Sequence, residues 1–203
     1  MEAFFTLYLK IFFMMTPFFV LSLFLTQSKN LTKAHKKSVI IKMAIAVTVS
    51  SLVFLLFGKY IFSLFGITLD AFKIGAGTVL FLSALDMIRS DGETPITDPT
   101  QNTDVTIKDF AVVPLAIPSA VGPGMIGILM VIGAEMSGPL NILLVVLSLL
   151  TAVISLVGVL FLANRIQLLL GRQGLEILPK ITGLFVSAIG AQIVFSGIQG
   201  FLL

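Results

Sequence analysis

The chain has 203 residues, of which 57% are hydrophobic and 11% charged, with a formal net charge of +3 and no cysteine. Soluble domains carry roughly 25% charged residues, so too few charges remain here to clothe a soluble surface, and a bilayer must be part of the solvent. This composition excludes an ordinary soluble enzyme and a disordered chain, and it carries no nucleic-acid reading; the missing cysteines exclude thiolate metal sites, disulfides and thiol redox carriers.

A spanning helix needs about 20 mostly apolar residues. Six stretches meet this in chain order: Ala3–Leu25, Val39–Phe57, Asp70–Ile88, Phe110–Gly133, Asn141–Ala163 and Pro179–Leu203. They are continuous and rich in Leu, Ile, Val and Phe, whereas a membrane β-barrel needs short alternating segments. The first lacks a cationic start and a small-residue cleavage site, so it reads as a retained span and not a signal peptide. Segment 90–109 holds Pro95, Pro99 and the acids Asp91, Glu93, Asp98, Asp104 and Asp109. It reads as a polar cytoplasmic linker between two three-helix repeats, residues 1–89 and 110–203.

Lysine and arginine set the orientation. Lys29, Lys33, Lys36 and Lys37 fill the first loop, Arg89 and Lys108 flank the third, and Arg165, Arg172 and Lys180 mark the fifth. The second loop has only Lys59 and the fourth has neither residue. Odd loops therefore face the cytoplasm and both termini lie outside a multi-pass cytoplasmic (inner) membrane protein.

The two parts resemble one another. Pro17 matches Pro118, Leu64-Phe65-Gly66 matches Leu169-Leu170-Gly171, and Lys73-Ile74 matches Lys180-Ile181. Gly183, Gly190 and Gly197 form a small-residue stripe on the sixth stretch, matched by Ala76, Ser83 and Ser90 on the third. Such stripes let helix backbones approach closely in a membrane. Because each repeat has an odd number of spans, the second enters the membrane inverted, a plan used by many transporters.

Two spans carry helix breakers in corresponding places: Thr16-Pro17 in the first, and Pro114, Pro118 and Gly122-Pro123-Gly124 in the fourth. Proline removes a backbone donor and clashes with the preceding turn, and glycine permits positive φ. Backbone groups freed at that depth must be covered by protein or line a wet cavity. Pro17 and Pro123 fit the first position of new half-helices, with Thr16 at an N-cap. Half-helix N-termini suit a carboxylate, and the preceding carbonyl ends suit an ammonium group. The candidate binding residues for a small zwitterion are therefore Thr16, Pro17, Ser22, Pro118, Ser119, Gly122, Pro123 and Gly124.

Lys10, Lys42 and Lys73 lie within reach of span ends and are expected to snorkel to the interface. Asp70 and Glu135 read as boundary residues. Asp86 stands three residues before Arg89, a spacing that allows a helix-face ion pair. It is the candidate for carrying a coupling proton. No nucleophile–base set, phosphate loop or clustered metal ligands appear, so neither catalysis nor a cofactor is expected.

Pro114-Leu115-Ala116-Ile117-Pro118 followed by Gly122-Pro123-Gly124, with Phe72-Lys73-Ile74-Gly75-Ala76-Gly77 before it, resembles the MarC family of integral membrane proteins. The resemblance covers the chain in length, spans and motif order. It implies a cytoplasmic-membrane protein of the LysE-type exporter group built from two three-helix halves, some members of which transport small neutral amino acids such as glycine and alanine. The family's first span usually reads Asn/Asp-Pro-x-Gly-x-x-Pro. Here that run is Thr16-Pro17-Phe18-Phe19-Val20-Leu21-Ser22, with Phe19 for the glycine and Ser22 for the second proline.

The sequence thus predicts an all-α, six-span secondary transporter, an exporter of small neutral amino acids or similar solutes, with a proton or sodium ion as candidate coupling ion. Two alternatives are a passive small-solute channel and a non-transporting scaffold. In the latter, the small-residue faces of the third and sixth spans would assemble a homo-oligomer.

Overall fold

The computed structural model describes residues 2–29, 31–89, 111–136 and 138–202, so the predicted linker 90–109 lies outside the described residues. The chain is helical throughout them: α1 (Glu2–Met14), α2 (Pro17–Gln27), α3 (Lys33–Phe65), α4 (Leu69–Arg89), an irregular segment Ala111–Ala120, α5 (Pro123–Glu135), α6 (Pro139–Phe161) and α7 (Ala163–Leu202). Five helical stretches are long and apolar enough to cross a membrane, and the bent pair Ala111–Ala120 with Pro123–Glu135 makes a sixth if it counts as one span. Each predicted stretch overlaps one of these, with Ala163 lying just past the end of α6 and Phe110 and Leu203 outside the described residues.

Caps explain where the ends differ from expectation. Thr32 accepts a hydrogen bond from the His35 backbone N–H at 3.3 Å, which starts α3 before the predicted span. The lone histidine is thus part of a helix cap. At its other end α3 runs past Phe57 until Gly66, whose φ of 62° stops it. The sixth span does not begin at Pro179. That residue is buried inside α7, and the helix bends upstream at Gly171, where φ is 63°.

The most extensive packing among the described residues joins α4 to α7. A Cβ added at Gly190 would meet the Gly77 carbonyl oxygen at 2.9 Å, and one at Gly77 would meet the Gly190 carbonyl at 2.8 Å. Gly183 lies equally close to the Ala84 carbonyl and Gly197 to that of Asp70, so the two helices run antiparallel with backbones in contact. The glycine stripe of α7 brings backbones together as predicted, and on α4 it meets Asp70, Gly77 and Ala84, one residue round from the positions Ala76, Ser83 and Ser90 that match it in the repeat. A one-residue step turns a side chain about 100° around a helix, which is enough to change faces. Ala76 meets Gly127 of α5, Ser83 is exposed with its hydroxyl donating to the Val79 carbonyl at 2.9 Å, and Ser90 lies outside the described residues. The glycine face of α7 is thus occupied within one chain.

Around this pair, α5 packs on both α3 and α4, with Gly133 against Leu55 and Gly124 against Leu80. α1 packs on α6, where the Tyr8 and Ser155 hydroxyls hydrogen-bond at 3.0 Å. Ile11, Leu21, Met43, Leu115, Leu129 and Leu156 interlock in one apolar core drawn from both parts of the chain. The outward faces stay apolar, as at Ile45, Ile154 and Phe195, which fits a hydrocarbon surround and not water.

Candidate functional site

The first break lies between α1 and α2. Thr16 adopts φ 46° and ψ 57°, the left-handed region, and is the one non-glycine residue with positive φ among the described residues. A β-branched side chain is rarely held there, because its Cβ crowds the following carbonyl. The adjoining proline ring also bars Thr16 from simply continuing the right-handed helix. Pro17 then takes the first position of α2, as the sequence predicts, and the Val20 N–H reaches back to the Thr16 carbonyl at 3.0 Å.

The second break follows the same proline rule more fully. Val113 and Ile117 each precede a proline, and both are extended, with φ −125° and ψ 121° and 124° respectively. Gly122 precedes Pro123 and is extended too, at φ −80° and ψ 171°, serving as N-cap of α5. The two pieces of this span meet at 65°.

The breaks touch each other. The Thr16 hydroxyl does not cap α2; it donates instead to the Ser119 carbonyl oxygen at 3.1 Å. The N-cap role expected of this side chain is therefore replaced by a bond across the two spans, made possible by the left-handed turn. Pro17 and Gly124 are buried here, Thr16, Ser119 and Gly122 are half-buried, and Pro118 and Pro123 are exposed. Ser22 sits further along α2, and among the described residues no side-chain bond ties it to the junction. Met15, Val20, Leu115 and Val121, beside these residues in the chain or in the same core, are fully buried. Asp86 is exposed on α4, and among the described residues no ion pair joins it to Arg89.

A second polar place, lined by none of the eight predicted binding residues, is a cavity of about 450 Å³. Its polar lining comes from five helices: Lys10 of α1, Lys73 of α4, Glu135 of α5, Asn141 of α6, and Gln192 and Ser196 of α7. The Lys73 ammonium donates to Glu135 Oε1 at 2.7 Å and to Asp70 Oδ1 at 3.3 Å. Its side chain is only 12% exposed. Lys73 therefore does not snorkel to open water, because two carboxylates hold it in place. Asp70 and Glu135 are more than boundary residues. The Asp70–Lys73 spacing was a readable signal for half of this cluster. Glu135 had none, since only the packing of α5 on α4 brings it there.

Against known proteins, the profile described as MarC family integral membrane protein matches residues 1–202. A UPF0056 membrane protein of Methanocaldococcus jannaschii is 35% identical over 100% of this chain and 99% of its own length. One from Pyrococcus abyssi is 32% identical over 98% of this chain and 96% of its own. The UPF0056 membrane protein YhcE of Escherichia coli is 24% identical over 98% of this chain and 93% of its own. No solved structure matches.

Proposed function

This chain belongs to the MarC family of integral membrane proteins, and from that premise we propose that it is a secondary transporter of small, net-neutral solutes, with amino acids such as glycine and alanine the first class to test. The observation that carries the reading is the contact between the two breaks, Thr16 hydroxyl to Ser119 carbonyl at 3.1 Å. Broken helices in two spans that meet inside the protein place unpaired backbone donors and acceptors where lipid cannot reach. Such groups offer partial charges of both signs and no net charge, which favours a neutral solute over an ion.

The inverted repeat belongs to the same proposal. Its support is a packing scheme that is largely kept when the two parts of the chain are exchanged. The α1–α6 contact corresponds to that of segment Ala111–Ala120 with α3, and α2–α7 to that of α5 with α4, while α4–α7 and α3–α6 map onto themselves. Gly66 and Gly171, matched in the sequence comparison, both turn the chain with positive φ, 62° and 63°, though their ψ angles differ at 23° and −172°. In this scheme the two repeats rock about the α4–α7 pair and open the junction to one side at a time. Both termini and the Glu135 end lie outside the cytoplasmic membrane, and net movement is outward. No reaction is catalysed.

The decisive experiment is an uptake and efflux screen in proteoliposomes with labelled glycine, alanine and serine, under imposed sodium or proton gradients. Saturable flux of one of them supports the reading. No saturable flux in either direction defeats it.

A further inference from the structure

We infer that the cavity between α1, α4, α5, α6 and α7 is a second solute site, taking a small zwitterion by its carboxylate on Lys10 and by its ammonium on Glu135. The inference rests on the transport reading for the size and neutrality of its ligand; the site itself rests on the geometry below.

The cavity, about 450 Å³, lies within the range of small-molecule sites. Its charges are balanced in number but not in pairing. Lys73 engages two carboxylates, at 2.7 Å and 3.3 Å, while Lys10 has no ion-pair or hydrogen-bond partner among the described residues. An ammonium lining a cavity without a protein partner is an open donor for an anion. Glu135 gives only Oε1 to Lys73, and its side chain is 48% exposed, so its second oxygen remains open to a cation. Gln192 and Ser196 add amide and hydroxyl groups on α7. Neither has a hydrogen-bond partner among the described residues.

Lys10, Lys73, Asp70 and Glu135 together sum to zero formal charge. A bare carboxylate or a bare amine would leave one charge uncompensated in this cluster, whereas a zwitterion completes both open positions and keeps the sum at zero. Ile128, Val131 and Leu144 supply an apolar wall for a short side chain. Lys73 acts as a positioning residue: its bond to Glu135 holds that carboxylate between α4 and α5 and orients the free oxygen.

The test is equilibrium binding of radiolabelled L-alanine to the purified full-length chain, run beside proteoliposome flux. The variants are Lys10→Gln and Glu135→Gln, with Lys10→Arg as the conservative control. Loss of one charge-assisted contact is expected to weaken L-alanine binding about tenfold or more in each of the first two variants, with recovery in Lys10→Arg. Competitors supply a signature that a merely structural role would not give. Propionate competes with wild type and Glu135→Gln but loses its hold on Lys10→Gln; ethylamine shows the reverse. Absence of saturable L-alanine binding to wild type, or unchanged affinity in both variants, overturns the site. Intact flux with unchanged affinity would remove the site and leave the transport reading. Absent flux with the charge-dependent binding retained would keep the site and remove that reading.

Discussion

The α4–α7 pair and the pair of broken spans bring helices together in opposite ways. Between α4 and α7 the side chains are removed, and glycines let two unbroken backbones touch along their length. Between the broken spans the backbone itself is interrupted, and among the described residues one side-chain hydrogen bond, hydroxyl to carbonyl, crosses between the pieces. The first contact is broad and has no alternative packing nearby, because tightly packed interiors do not deform smoothly. The second is narrow, and parting it exposes polar groups that a solute can satisfy. A protein that must open on either side while staying folded needs both kinds of contact.

The largest expected effect falls on the rigid pair. In Gly190→Leu, even the new Cβ would sit 2.9 Å from both the Gly77 carbonyl oxygen and the Phe81 backbone nitrogen. Backbone cannot yield as a side-chain tip can, so the helices must separate. We expect a loss of about 3 kcal/mol or more, at the upper end of overpacking costs. It would read as a collapse of thermal stability in detergent and of the yield of monodisperse protein. A variant that stays as stable as wild type but merely changes oligomeric state would mean that this face works between chains, and the contrast drawn above would fall.

The soft contact should behave differently. Thr16→Val keeps the shape of the side chain and removes the donor to the Ser119 carbonyl. The protein should lose only ~1–2 kcal/mol, the cost of one unsatisfied buried acceptor. Flux should nonetheless drop about tenfold, since the hydroxyl is part of the proposed site, and Thr16→Ser should restore it. Equal losses in the Val and Ser variants would show that the methyl group matters and the bond does not.

Thr16 also carries strain that the second break avoids. Val113, Ile117 and Gly122 are all extended before their prolines, where the ring leaves room, whereas Thr16 is held at φ 46°. Thr16→Asn places a residue that tolerates the left-handed region and still offers a donor. A gain of ~1 kcal/mol in thermal unfolding is expected, with flux retained. A loss would mean that the β-branched side chain is packed too well to replace, and that the two breaks differ less in strain than their backbones imply.

How much of this was readable in the sequence follows from the range of each interaction. The breaks and the new helix starts at Pro17 and Pro123 were legible because proline acts on its immediate neighbours. The glycine stripe of α7 was legible from its spacing, but its partner face on α4 was not, since a single helix cannot reveal which face its neighbour occupies. Thr16 was assigned to a cap because that is its usual local use; its partner lies on another span. The Lys73–Glu135 pair was missed for the same reason. Near a span end a lysine's default partner is interfacial water, and only the packing of α5 on α4 replaces it with a carboxylate.

The smallest expected effect tests whether the two parts of the chain are equivalent at all. Gly66 and Gly171 have nearly the same φ, and a Cβ at either would meet no atom within 4 Å. Space is therefore not a term in either substitution. What remains is the backbone cost, partly offset by the smaller freedom of the unfolded chain, and it differs between the two: ψ is 23° at Gly66, the left-handed helical well, but −172° at Gly171, a region essentially reserved for glycine. Gly66→Ala should lower stability by ~1 kcal/mol and Gly171→Ala by about 1 kcal/mol more. The double variant should be additive, because the two glycines occupy separate turns that share no partner. A large loss at Gly66 with none at Gly171 would mean that the bend in α7 relaxes freely. The sequence likeness of the two turns would then no longer count in favour of a repeated architecture.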